Sequence, residues 1–351
     1  MLWGAGMSSV PPVHRISGRP QPAGGAKSAV VDHAGTRVLV TGAGGFVGHH
    51  LVTYLKQHGY WVRGVDLHRP EFTPVDADEF HIRDLRRRDE CLLAAAGIDE
   101  VYALAADMGG MGFISANHAT ILRNNALINL HTIEAARAQG AHRYLLASSA
   151  CVYPQYLQDD PDVRPLKEED AYPADPQDAY GWEKLLAERL CAYYTTEYGL
   201  ETRIARFHNV YGPYGTYDGG REKAPAALCR KVAMAEPGGS IEIWGDGEQT
   251  RSFCYVDDCV EGILRLMRSS YREPLNIGTD ALVTVNQLAS LIIELSGKRG
   301  ITPRYVKGPQ GVRGRNSDNT RLRQVLTWEP TTTLEAGLLE TYRWIDKQVN
   351  A

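Results

Sequence analysis

No apolar run in the 351 residues approaches the ~20 needed to cross a bilayer, and no charged-then-apolar leader opens the chain, so no membrane partner is expected. An excess of positive charge is also missing. Thirty-eight Lys and Arg against 42 Asp and Glu give a formal net charge of −4, which leaves no electrostatic footprint for nucleic acid. Cysteine is sparse: Cys91, Cys151, Cys191, Cys229, Cys254 and Cys259 are irregularly spaced, with no C-x-x-C pair. Neither a disulfide framework nor a metal site is expected, and a reducing, cytoplasmic setting is the default. Internal repeats are absent. Residues 1–34 are rich in Gly, Pro, Ala and Ser without periodicity and read as a disordered tail.

What is present is an alternation of short apolar runs and helical patterns. Arg37–Thr41, Trp61–Asp66, His81–Leu85, Glu100–Ala106 and Arg143–Ser149 read as buried strands. Helical stretches lie between them, among them about Phe46–His58 and Asn117–Gln139. Strands alternating with helices imply a doubly wound parallel α/β sheet of Rossmann type, with every strand's C-terminal end on one rim. The expected division is a dinucleotide-binding domain over residues 35–206 and a smaller, mainly substrate-binding α/β lobe over 207–351. The lobe is free to return strands or helices to the first domain. It opens with the Gly- and Tyr-rich loop Tyr211–Gly220 and a helix near Ala224–Ala235.

Strand one runs into Thr41-Gly42-Ala43-Gly44-Gly45-Phe46-Val47-Gly48. Gly42 suits a tight turn, Gly45 a close approach to a pyrophosphate, and Gly48 close helix–strand packing. The free N–H groups at the helix start, Phe46 and Val47 included, then face the phosphates. Asp66, at the end of strand two, is placed to bind an adenosine ribose and to repel a 2′-phosphate, which favours NAD over NADP; Arg63 and Arg69 lie nearby in sequence. Asp84 either reaches the adenine edge or caps a strand end.

Tyr180 and Lys184 are four residues apart, on one face of a helix. An ammonium beside the phenol, helped by the cofactor's own positive ring, favours the phenolate, which accepts a hydroxyl proton as hydride leaves for the nicotinamide. Ser149 ends the fifth strand on the same rim, placed to hold the reacting oxygen. These segments, with Arg206–Pro213, make residues 36–345 resemble the extended short-chain dehydrogenase/reductase family.

Within it, Ala105–Phe113, Ala147–Pro154 and Gly219–Ala224 resemble the NAD-dependent branch that epimerises GDP-mannose at carbons 3 and 5. The resemblance implies Cys151 as base and Lys223 as acid. It implies substrate contacts at Gly109, Ser149, Ala150, Asn209, Glu222, Ala224 and Gln249, and a homodimer. Lys231, Arg251 and Arg315 are the candidate cations for a nucleotide diphosphate. Trp244 either packs near the guanine or joins the core. A 4,6-dehydratase needs an acid/base carboxylate after the Ser/Thr site, where this chain has Ala150-Cys151. A 4-epimerase is the nearer rival. A non-catalytic NAD-binding regulator has no use for the Tyr180/Lys184 pair. The remaining five cysteines are taken as packing residues.

Overall fold

Val38 and Val40 of strand β1 (Arg37–Thr41) turn to one face of a sheet and Leu39 to the other, and all three are buried. This two-sided burial requires helices on both faces. The computed structural model describes residues 35–350, and the tail expectation for residues 1–34 lies outside them. After β1 come α1 (Phe46–Gln57), β2 (Trp61–Asp66), β3 (Glu79–Ile82), α2 (Arg88–Ala95), β4 (Glu100–Ala103), α3 (Met111–Ala116), α4 (His118–Ala138), β5 (Arg143–Ser149), α5 (Ala179–Tyr198) and β6 (Glu201–Phe207). A seventh strand, Pro274–Ile277, pairs with β6 at the sheet edge. The order is 274–277, β6, β5, β4, β1, β2, β3, all parallel.

The later chain adds α6 (Ala224–Met234), α7 (Val256–Arg268), α8 (Val285–Ser296), α9 (Thr320–Leu326) and α10 (Leu334–Asn350). Helices α1 and α7 cover one face of the sheet, and α2, α4 and α5 cover the other. A separate cluster joins α6, α8 and α10 with the strand Ser240–Trp244, which pairs with Thr302–Val306. Among the described residues no helix is long and apolar enough to cross a membrane.

The sequence-based strand ends shift where side chains capture the backbone. The fourth strand stops at Ala103, not Ala106, because Thr41 Oγ1 accepts the N–H groups of Leu104 and Ala105, both at 3.1 Å. The third covers Glu79–Ile82 instead of His81–Leu85: Arg83 N–H donates to the Asp66 carbonyl, and Asp84 Oδ1 accepts the Arg86 N–H at 3.0 Å, turning the chain. β6 and the 274–277 strand went unread. Arg203 and Arg206 interrupt the apolar run of the first, yet both are fully buried.

Arg206 belongs to a polar seam inside the sheet's edge. Its guanidinium donates to both Glu188 oxygens, at 2.9 and 2.7 Å, and to the Glu168 carbonyl at 2.7 Å. Ser148 donates to the same Glu188 carboxylate at 2.5 Å. Tyr153 and His208 both meet Asn276 Oδ1, at 2.6 and 3.0 Å. A buried pair of this kind stabilises only while both partners remain. Arg206→Met leaves the Glu188 charge enclosed and is expected to cost about 3–5 kcal/mol in urea denaturation; a loss under ~1 kcal/mol contradicts the reading.

Candidate active site

The glycine turn is shaped by close backbone approach. Gly42 has φ +72°, and a Cβ there would stand 2.9 Å from the Ala105 nitrogen. A Cβ on Gly48 would run into the Gly42 carbonyl. Helix α1 then begins at Gly45 with no side-chain cap and no acidic residue in its first turn. Its first N–H groups, with Phe46 and Val47, are left for an anion. Asp66 Oδ2 accepts the Gly44 N–H at 3.0 Å and Oδ1 the His68 N–H at 3.2 Å, leaving lone pairs for further donors. The cradle fits a dinucleotide. Asp84 instead faces Arg86, with contacts of 2.7 and 2.8 Å.

At the end of β5 the chain enters a single 3₁₀ turn, Ala150–Val152, because Ser149 Oγ accepts the Cys151 N–H at 3.1 Å. The same hydroxyl hydrogen-bonds Tyr180. Tyr180 sits in the first turn of α5, whose start is capped by Asp178 accepting the Gly181 N–H at 2.9 Å. Gly181 is pressed so close to the Cys151 carbonyl that a Cβ has no room. Ser149, Cys151 and Tyr180 are thereby locked together.

Lys184 is buried below the Tyr180 ring, its Nζ 5.5 Å from the ring centroid and 3.8 Å from Glu183 Oε2. Burial, then the Cys151 thiol and Glu183, push the Tyr180 hydroxyl well above its ordinary range, and the Ser149 hydrogen bond only partly opposes this. Sequence reasoning missed Glu183, which also accepts from Asn129 at 2.5 Å; a Glu beside a Lys on a helix reads as a solvated pair.

Lys223 immediately precedes α6, at the end of a strap that docks on the loop before α3. Gly110 N–H donates to the Arg221 carbonyl at 3.0 Å, and a Cβ on Gly110 would meet the Glu222 carbonyl at 2.5 Å. The Arg221 guanidinium lies 3.8 Å from the centre of the Phe113 ring and 3.3 Å from Asp107 Oδ1. Asn124 and Asn125 fasten Asp107 in turn. Sequence reading singled out both segments but not this clasp. Lys223 is exposed at the end of this strap. Desolvation by the protein around its ammonium lowers its pKa below the ordinary 10.5, and the Cys151 and Cys259 thiols oppose this.

The cations divide. Arg315 is buried and directs Nη1 to Cys151 Sγ at 3.3 Å and Nε to Gln158 Oε1 at 2.5 Å. Arg251 donates to the Thr250 and Val312 carbonyls, both at 2.7 Å; burial, with Arg315 beside it, lowers its pKa to about 9. These bonds go to neutral acceptors and sulfur, so among the described residues neither guanidinium has a carboxylate counter-ion. Two such charges call for an anionic ligand. Lys231 turns away to the Glu242 carbonyl at 2.8 Å. Glu222 accepts the Gly220 N–H within its own strap, Gln249 donates to the Trp244 carbonyl, and Asn209 donates to the Ser252 carbonyl. Asn209 has φ +41°. Gly109 and Ala150 are buried, and Ala224 is exposed where α6 begins. Trp244 is 43% exposed and lies outside the core. Cys91, Cys191, Cys229, Cys254 and Cys259 are all buried, and Cys151 alone among the six thiols is half-exposed.

The family model described as the NAD dependent epimerase/dehydratase family matches residues 38–278. GDP-mannose 3,5-epimerase 1 of Oryza sativa subsp. japonica is 50% identical over 315 residues, 89% of this chain and 82% of that protein. GDP-mannose 3,5-epimerase of Arabidopsis thaliana is 49% identical over 315 residues, 89% and 83% of the two. Among solved structures, UDP-glucuronic acid 4-epimerase from Bacillus cereus, in complex with UDP-glucuronic acid and NAD, is similar with TM-score 0.77 and 27% identity, covering 89% of this chain and 100% of that one.

The strap's grip on Lys223 predicts its titration. Competitive labelling of lysines with trace acetic anhydride across pH is expected to give Lys223 a midpoint below 10.5. Gly110→Ala, which lifts the strap into solvent, moves that midpoint upward. A native midpoint at or above the ordinary lysine value contradicts the geometry.

Proposed function

The chain belongs to the NAD-dependent epimerase/dehydratase family, and from that premise we propose that it converts GDP-D-mannose to GDP-L-galactose, with GDP-L-gulose as a second product. The observation that carries this is a half-exposed thiol, Cys151, locked beside Ser149 and Tyr180, with the strap that carries Lys223 docked on the loop after β4 at the same rim. A carbon-4 epimerase has no need of a second acid/base pair. Half identity to named GDP-mannose 3,5-epimerases supports the same substrate.

The cofactor is NAD, held by the Gly42–Gly48 turn, the open start of α1 and Asp66, with Lys184 beneath Tyr180. When bound, it supplies a reversible hydride acceptor at carbon 4 and a positive ring that opposes the burial of the Tyr180 phenolate. Tyr180 takes the carbon-4 hydroxyl proton and Ser149 holds that oxygen in place. Once carbon 4 is a ketone, the hydrogens on carbons 3 and 5 become acidic. A Cys151 thiolate removes a proton, the electron pair passes into the enolate, and Lys223 returns a proton to the opposite face. The proton on Tyr180 goes back to the carbon-4 oxygen as the ketone is reduced, so no net redox change remains. Arg251 and Arg315 supply positive charge for the GDP diphosphate.

Six unpaired thiols support a reducing, cytoplasmic setting. Exposed Leu122 and Leu130 on α4 and Trp182 and Leu186 on α5 support a homodimer through these helices, which sedimentation of Trp182→Glu against the native chain tests.

Incubation with GDP-mannose in deuterated water is expected to place label at carbons 3 and 5; label at neither overturns the function. Cys151→Ser keeps NAD and loses about 10²-fold or more of the exchange. Near-normal exchange in that variant returns Cys151 to the packing thiols.

A further inference from the structure

We propose that Gln158 is a positioning residue for the reaction: it holds the Arg315 guanidinium against the Cys151 sulfur, so that Arg315 serves the base as well as the substrate's phosphates. The inference rests on the reading of Cys151 as a base. Gln158 lies within the turn that follows the thiol and is completely buried. Its amide nitrogen donates to the Tyr153 and Pro154 carbonyls, both at 3.0 Å, which fixes the side chain's rotation. That leaves Oε1 facing outward from the turn, where it accepts from Arg315 Nε at 2.5 Å. The Gln158 carbonyl accepts the N–H groups of Arg313 and Gly314, at 2.8 and 3.1 Å, so the strand carrying Arg315 is stitched to the segment seven residues beyond Cys151.

The guanidinium is a planar fork, and fixing Nε fixes where Nη1 points. Here Nη1 reaches Cys151 Sγ at 3.3 Å, within hydrogen-bond range for sulfur. A thiolate at this position receives a charge-assisted hydrogen bond from a cation that no carboxylate neutralises among the described residues. As the thiolate takes a proton from the sugar carbon, the negative charge leaves sulfur for the enolate oxygen, and the bond from Nη1 weakens with it. Neutral Gln158 suits this arrangement because it orients the guanidinium without cancelling its charge.

Two variants separate orientation from charge. Gln158→Met removes the Nε acceptor at similar volume; Gln158→Glu keeps an acceptor but neutralises the cation. Alkylation of Cys151 by iodoacetamide at neutral pH, followed by peptide mass spectrometry on the NAD-loaded protein, is expected to slow about tenfold in Gln158→Met, which loses the charge-assisted hydrogen bond to sulfur, and also to slow in Gln158→Glu, where the bond's aim survives but its charge is cancelled. Deuterium exchange and kcat for GDP-mannose are expected to fall in step with alkylation, and KM to rise as well, because Arg315 also loses its hold on the diphosphate. Where Gln158→Met fails to fold, Arg315→Lys makes the same test, since it keeps the charge and loses the fork. Alkylation at the native rate in the folded variants overturns the proposal, as does a rise in KM alone, which assigns Arg315 to phosphate only. If alkylation slows while Cys151→Ser retains exchange, the contact stands and the base assignment falls.

Discussion

Parallel strands joined by right-handed crossovers must all end on one rim, and this constraint assembles the site. Gly42 follows β1, Asp66 closes β2, the Asp107–Gly110 loop follows β4, and Ser149 closes β5. Distant stretches of chain meet there with no metal or disulfide among the described residues to draw them together. Close backbone approach then sets the fine positions. Gly48 against Gly42, Gly181 against Cys151 and Gly110 against Glu222 are three places where a single methyl group has no room.

Upon that rim the chemistry is divided between a strand end with its packed helix and a strap from the later chain. Cys151, Ser149 and Tyr180 sit on the end of a central strand and the first turn of a packed helix. The polar seam of Ser148, Glu188 and Arg206 lies directly behind them, and its cost of burial is met by nearly complete pairing. Lys223 arrives on a strap held by the Arg221 contacts to Asp107, Phe113 and Gly110 and by Arg230, which pairs with Asp218 and Glu222.

Much of this was legible in residue order. Strands β1, β2 and β5 were read at their true bounds, because each is a short, mainly apolar run that closes on a small or polar residue, Thr41, Asp66 or Ser149. β6 was not, since buried Arg203 and Arg206 mimic a surface pattern and only tertiary partners reveal their burial. The site shows the same split. Tyr180, Lys184 and the glycines carry a spacing signature. Gln158, Asp107 and Glu183 act through contacts across many residues, for which single-sequence patterns hold no signal. Arg315 was found by its charge, but its aim at the thiol emerged only with coordinates.

The central claim is that carbon 4 lends out its hydrogen and receives the same one back while its neighbours invert. GDP-mannose carrying deuterium at carbon 4, turned over in ordinary water, tests this directly. Retention of the label at carbon 4 of GDP-L-galactose is the predicted result. Loss of that deuterium to solvent contradicts the account.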